Sequence, residues 1–67
     1  MKKFAERLKN IRLEEGLSQC ELAQKLNLSD KTISHYENGV SEPNLDVLID
    51  ICVCLNTSAD YLLGLTD

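Results

Sequence analysis

No stretch of this sequence approaches the ~18 consecutive apolar residues of a membrane span. Its start, Met1-Lys2-Lys3-Phe4-Ala5-Glu6-Arg7, lacks the apolar run of a signal peptide. No export or anchoring segment is read, and the expected location is cytoplasmic, with no membrane partner. Three glycines and one proline leave no glycine-rich or proline-rich linker, and no repeat or low-complexity stretch is found. Cysteines number three, Cys20, Cys52 and Cys54, an odd set without framework spacing. That fits a reducing compartment better than a disulfide scaffold. On a helix, Cys52 and Cys54 sit about 200° apart and cannot grip one ion. The single histidine, His35, has no second ligand type at useful spacing. The thiols therefore read as small hydrophobes or incidental surface groups, and no metal is expected. A nucleophile–base pair and a glycine-rich phosphate loop are also missing. The 67 residues make one small domain over 1–67, too short for most catalytic folds. Neither an enzyme activity, a cofactor nor a small-molecule substrate is expected.

Positive charge is scarce as well. Seven Lys and Arg stand against eleven Asp and Glu, a net charge of −4. The distribution matters more than the sum. Residues 1–35 hold all seven basic residues and five acidic ones, whereas residues 36–67 hold six acids and no Lys or Arg. A nucleic-acid reading must place the first half against phosphate and turn the second half away. An acidic patch opposite the binding face also orients the molecule during approach.

Strand-like alternation is absent and the apolar spacing is helical. Phe4, Leu8 and Ile11 predict a first helix over about residues 2–15, ended by Gly16 in a left-handed cap. Ser18-Gln19-Cys20-Glu21 reads as a capping box opening a second helix over about 19–26, with Leu22, Ala23 and Leu26 on one face. Asn27-Leu28-Ser29 is a short turn, Asn27 tolerating the left-handed reversal. Ser29 caps a third helix running to about Asn38, which Gly39 stops. Asn44 is a candidate cap for a fourth helix from Leu45 to Leu55. Its predicted buried stripe is Leu45, Leu48, Ile49, Cys52 and Leu55, with Cys54 pointing almost opposite. Asn56-Thr57-Ser58 caps a short fifth helix, with Asp60 in its first turn and Tyr61, Leu62, Leu63 and Leu65 as its apolar content. The expected fold is all-α, five short helices around one core.

Two short helices joined by a tight turn at a steep angle read as helix-turn-helix. Ala23 is small where the second and third helices approach. With Asp30 at 0° on a helical wheel, Ser34 falls at about 40°, Lys31 at about 100°, His35 at about 140° and Thr32 at about 200°. Ile33, Tyr36 and Glu37 fill the inward arc. The outward arc is polar and fits the DNA major groove, which admits an α-helix. Polar outward faces are also common on helices that are merely solvated, and the wheel by itself favours that reading.

The run Leu17-Ser18-Gln19-Cys20-Glu21-Leu22-Ala23, with Gln24-Lys25-Leu26-Asn27-Leu28-Ser29, Thr32-Ile33-Ser34 and Tyr36-Glu37-Asn38-Gly39, resembles the phage repressor/Cro-type (XRE-like) helix-turn-helix family. The resemblance continues through Pro43-Asn44-Leu45, Leu48, Leu55-Asn56 and Ser58-Ala59-Asp60-Tyr61-Leu62-Leu63-Gly64, and so covers nearly the whole chain. It implies a lambda-repressor-like fold with the helix-turn-helix at helices two and three. The implied function is sequence-specific binding of double-stranded DNA by a transcriptional regulator, most often a repressor. Many members bind palindromic operators as dimers. By position, Asp30, Lys31, Thr32 and His35 match base-contacting positions. Lys31 suits guanine O6/N7 and Asp30 suits cytosine N4. His35 suits a guanine or a phosphate, and a protonated His35 there tightens binding at lower pH. Gln19, Ser29, Ser34, Asn38 and Ser41 are implied phosphate contacts. Gln19 also braces the start of the recognition helix, helped by first-turn N–H groups. The loop Gly39-Val40-Ser41 brings small groups and free N–H donors. Arg12 and Glu37 match a partly buried salt bridge that locks the third helix to the first.

The sequence departs from the family pattern at three places. Asn27 stands where Gly is usual, which the turn tolerates. Asp30 sets a negative charge near DNA, lowering nonspecific affinity. Cys20 replaces an unremarkable residue, and a lone thiol without a partner reads as incidental. A domain this small makes few contacts, so a homodimer on half-sites ~34 Å apart is expected. Its surface is expected at the fifth helix and the loop before it, through Thr57, Ser58, Leu63 and Leu65, with Cys54 exposed nearby. The alternative function is a protein-interaction module, such as an antitoxin or anti-repressor, holding a basic partner on the acidic half.

Overall fold

The helix starts follow from side-chain oxygens placed one residue ahead of them. In the computed structural model, which describes residues 3–66, Ser18, Ser29, Asn44 and Ser58 each accept a hydrogen bond from the backbone N–H three residues on. They open α2 (Gln19–Leu26), α3 (Asp30–Glu37), α4 (Leu45–Leu55) and α5 (Ala59–Leu63), which follow α1 (Phe4–Glu14). The expected start of the first helix at residue 2 lies outside the described residues. At α2 the capping box is complete. Glu21 N–H donates to Ser18 Oγ at 3.0 Å, and Ser18 N–H donates to Glu21 Oε1 at 2.9 Å. The hydrogen bonds from Ser18 hold the Glu21 carboxyl below its ordinary value of 4.5.

Left-handed residues end the helices. Gly16 follows α1 at φ +73°, and Asn27 and Asn56 cap α2 and α4 at φ 61° and 52°. These are conformations that Asn adopts more readily than other side chains with a Cβ. Helix α3 stops at Glu37, one residue short of expectation, with Asn38 as its cap. There is no strand among the described residues.

The core joins Phe4 and Leu8 of α1, Leu22 and Ala23 of α2, Ile33 and Tyr36 of α3, Leu48, Ile51 and Leu55 of α4, and Leu62 of α5. Helix α3 packs on α1 and α2, α4 on α2 and α5, and α5 on α1. The rings of Phe4 and Tyr36 meet edge to face, centroids 6.3 Å apart. Ala23 is fully buried on α2, the helix that packs on α3.

The expected stripe of α4 needs correction. Leu48 and Leu55 are buried as expected, but Ile51 completes the buried face while Leu45 and Ile49 stand exposed. The helix is apolar on nearly every side, so two adjacent arcs were equally greasy. The positions of α2 and α5, which no wheel contains, select the arc from Ile51 through Leu55 to Leu48. Rotation about the helix axis has the same effect on the thiols. Cys52 and Cys54 are both half-buried and pack against the core, so Cys54 is not the exposed group expected. Burial pushes the Cys52 thiol pKa up, which keeps it protonated.

Candidate nucleic-acid interface

The link between α2 and α3 is short because Asn27 reverses the chain in one residue. Leu28 N–H then bonds back to the Ala23 carbonyl at 2.8 Å. Ser29 starts α3 at once. Its Oγ accepts from Thr32 N–H at 3.1 Å and lies 2.8 Å from Thr32 Oγ1. Asp30 and Lys31 are exposed, and Thr32, Ser34 and His35 are half-buried. Ile33 and Tyr36 face inward. Asn38 Nδ2 donates to Ser34 Oγ at 3.2 Å, tying the helix end to its own polar face.

Beneath α3 lies a charged lock. Arg12 Nε donates to Glu37 Oε2 at 2.6 Å and Arg12 Nη2 to Glu37 Oε1 at 3.1 Å, a two-pronged pairing of guanidinium and carboxylate. Their side chains are 7% and 2% exposed. Arg12 Nη1 donates to the Leu17 carbonyl at 2.7 Å, so the same side chain also fixes the segment between α1 and α2. Gln19 Nε2 donates to Glu37 Oε1 at 3.1 Å. The amide thus braces the end of α3, where the sequence reading put it at the start. The four groups join α1, α2 and α3 around one carboxylate.

The loop after α3 differs from expectation. Gly39 N–H bonds to the Tyr36 carbonyl at 3.4 Å, and the N–H groups of Val40 and Ser41 both bond to the His35 carbonyl, at 2.9 and 3.4 Å. The expected free donors are committed to closing α3, because helix ends leave carbonyls that must be satisfied. The exposed side chains of Asn38 and Ser41 remain at this corner.

Along α5 and the loop before it, Thr57 and Leu63 are half-buried while Ser58 and Leu65 are exposed, Leu65 at 72%. Arg7 holds this region from α1. Its guanidinium stacks over the Tyr61 ring, 4.6 Å from the centroid. Its Nη1 donates to the Tyr61 carbonyl at 2.7 Å and to the Thr66 carbonyl. Sequence reasoning missed this clamp. Arg7 sits beside the apolar stripe of α1, but nothing in the local pattern points to carbonyls more than fifty residues away.

Among the described residues, no group of three or more His, Cys, Asp and Glu side chains is placed to hold a metal ion. No helix there is long and apolar enough to cross a membrane.

Comparison with known proteins converges on this geometry. A family model described as helix-turn-helix matches residues 8–62. The chain is 41% identical over 61 residues to the HTH-type transcriptional regulator ImmR of Bacillus subtilis, covering 91% of this chain and 48% of ImmR. Its fold matches the DNA-binding domain of the P22 c2 repressor with a TM-score of 0.84 and 32% identity, covering 90% of this chain and 79% of that one. A transcriptional regulator from Listeria innocua matches at a TM-score of 0.84 and 31% identity, over 96% of this chain and 60% of that one. The chain spans about half the length of the curated relatives it matches. The five helices of the described residues, the tight turn at Asn27 and these matches establish that the chain belongs to the helix-turn-helix family, with the fold of a phage repressor DNA-binding domain.

Proposed function

We propose that this chain binds double-stranded DNA sequence-specifically as the operator-reading domain of a transcriptional repressor, working in the cytoplasm as a homodimer on a palindromic site. The observation that carries the reading is the division of α3. One side is locked by Ile33, Tyr36 and the Arg12–Glu37 pair, while Asp30 and Lys31 stand free to solvent. A helix held from beneath and polar on its outside enters a major groove without rearrangement.

In this reading Lys31 donates to guanine O6 or N7, Asp30 accepts from cytosine N4, and Thr32 and His35 touch the bases beside them. Gln19, Ser29, Ser34, Asn38 and Ser41 reach phosphate and set the register without reading sequence. Ser34, Asn38, Ser29 and Thr32 are already linked in pairs, so little side-chain freedom is lost on docking. Gln19 keeps its carbonyl oxygen and one amide proton after bonding Glu37, and the proton is what a phosphate takes. Thr57, Ser58, Leu63 and Leu65 form the contact between two copies.

Selection of bound duplexes from a random pool, repeated with Lys31→Ala and His35→Ala, tests the reading. The expected outcome is a two-fold symmetric consensus, with preference lost at discrete positions in each variant. Uniformly weaker binding reassigns the residue to phosphate. A gel shift at two salt concentrations with no salt-sensitive binding to any duplex overturns the proposal. Repression is read separately: the protein lowers transcription from a reporter carrying the selected site.

A further inference from the structure

We propose that the outer face of α4 docks an amphipathic helix whose apolar stripe is flanked by lysine or arginine. The inference stands apart from the DNA reading and rests on a different helix. Leu45, Ile49 and Val53 are 76%, 59% and 77% exposed. They recur every four residues, so they form one ridge on the side of α4 away from Leu48, Ile51 and Leu55. The ridge is about 12 Å long, roughly two turns of a partner helix. Single exposed apolar residues are ordinary, but a continuous exposed stripe marks an interaction surface.

Charge selects the occupant. Asp46 and Asp50 are exposed and run along one flank of the ridge, at about 100° and 140° from Leu45 against 0°–80° for the ridge itself. No Lys or Arg occurs anywhere in residues 36–67, so neither α4 nor α5 supplies a cation to this row. Beside it lies a groove between the end of α2 and α4, lined by Lys25, Leu26, Asn27, Asp50, Val53 and Cys54. Lys25 stands on its α2 wall and Asp50 on its α4 wall, so the groove itself holds one charge of each sign, while Asp46 lies outside it. The acid row repels phosphate, whether of DNA or of an anionic lipid surface. A second copy of this chain brings the same acids. In a two-fold antiparallel pairing centred on Ile49, both rows fall on the same side and oppose each other. A helix laid along the ridge with apolar anchors and a basic edge satisfies both features. The anchors supply affinity and the charges set direction and choice of partner.

The test uses the 15N-labelled chain and two synthetic helical peptides of about four turns. They share one leucine stripe and differ in flanking that stripe with lysine or with glutamate. Titration with the lysine peptide is expected to shift the amide resonances of residues 45–54. Ile49→Ser and Val53→Ser weaken binding by about tenfold each, a 1.4 kcal/mol step. The paired change Asp46→Lys and Asp50→Lys reverses the preference toward the glutamate peptide. All four side chains are exposed, so an unchanged thermal midpoint confirms that the variants fold. Equal binding of the two peptides overturns the proposal, as do shifts spread over the acids of α1 and α2. It is also overturned if sedimentation equilibrium shows the chain self-associating and Ile49→Ser abolishing that association, because the occupant is then a second copy.

Discussion

Arg12 and Glu37 bring opposite charges into a space between α1 and α3 where water hardly reaches. Such a pair adds little net stability, since desolvation offsets attraction, but a lone member is costly. Arg12→Ala or Glu37→Ala is therefore expected to lower unfolding free energy by ~3–5 kcal/mol, measured by urea denaturation. The double change Arg12→Met with Glu37→Met recovers most of that loss. What stays lost is the pairing of the Leu17 carbonyl and the Gln19 amide. Glu21 behaves differently because it is exposed. Its carboxyl is held below the ordinary value by Ser18, so the folded state favours the ionised form. That stabilisation is full above the ordinary value of 4.5 and is lost as pH falls through the lower folded value. Thermal midpoints measured across this acid range are expected to fall more steeply for the wild type than for Glu21→Gln, which has no carboxyl to titrate. The salt bridge was legible from family resemblance. The Gln19 contact to Glu37 was not, because the landing point of a flexible amide depends on the distance between two helices.

Helix boundaries were largely readable in the chain, and the reason is chemical. Ser18, Ser29, Asn44 and Ser58 must satisfy free N–H groups, and Asn27 and Asn56 must adopt a left-handed turn. These are local demands, settled within a few residues. The orientation of α4 was not readable, since Leu45 and Ile49 are as apolar as Leu48 and Ile51. Ile51→Ala is expected to cost ~2–5 kcal/mol by opening a cavity in the core. Ile49→Ala is expected to change stability by less than about 0.5 kcal/mol, as for other surface positions. Chemical denaturation of the two variants side by side separates the observed rotation from the one read off the sequence. The outward face of α3 lies between these cases. The wheel identified its polar side, while the hydrogen bonds from Gly39, Val40 and Ser41 back to the helix depend on how the following loop folds.

Over the whole molecule, basic charge is segregated: every Lys and Arg lies in the first half. Exposed Leu65 and half-buried Leu63 lie by the last helix. If two copies meet there, Leu65→Ser weakens self-association in sedimentation equilibrium while leaving the unfolding midpoint of dilute protein unchanged. Operator affinity falls with it, because each half-site then binds alone. The long-range ties were the least legible part of the sequence, as the clamp at Arg7 illustrates. That clamp also bears on the order of events during synthesis. Arg12 meets its carboxylate 25 residues later, whereas Arg7 finds its acceptors only after 54 and 59 more have been added. A nascent polypeptide can therefore assemble α1, α2 and α3 around Glu37 while α5 is still unmade. The guanidinium of Arg7 then acts as a late latch, closing only once the carbonyls of Tyr61 and Thr66 have been made.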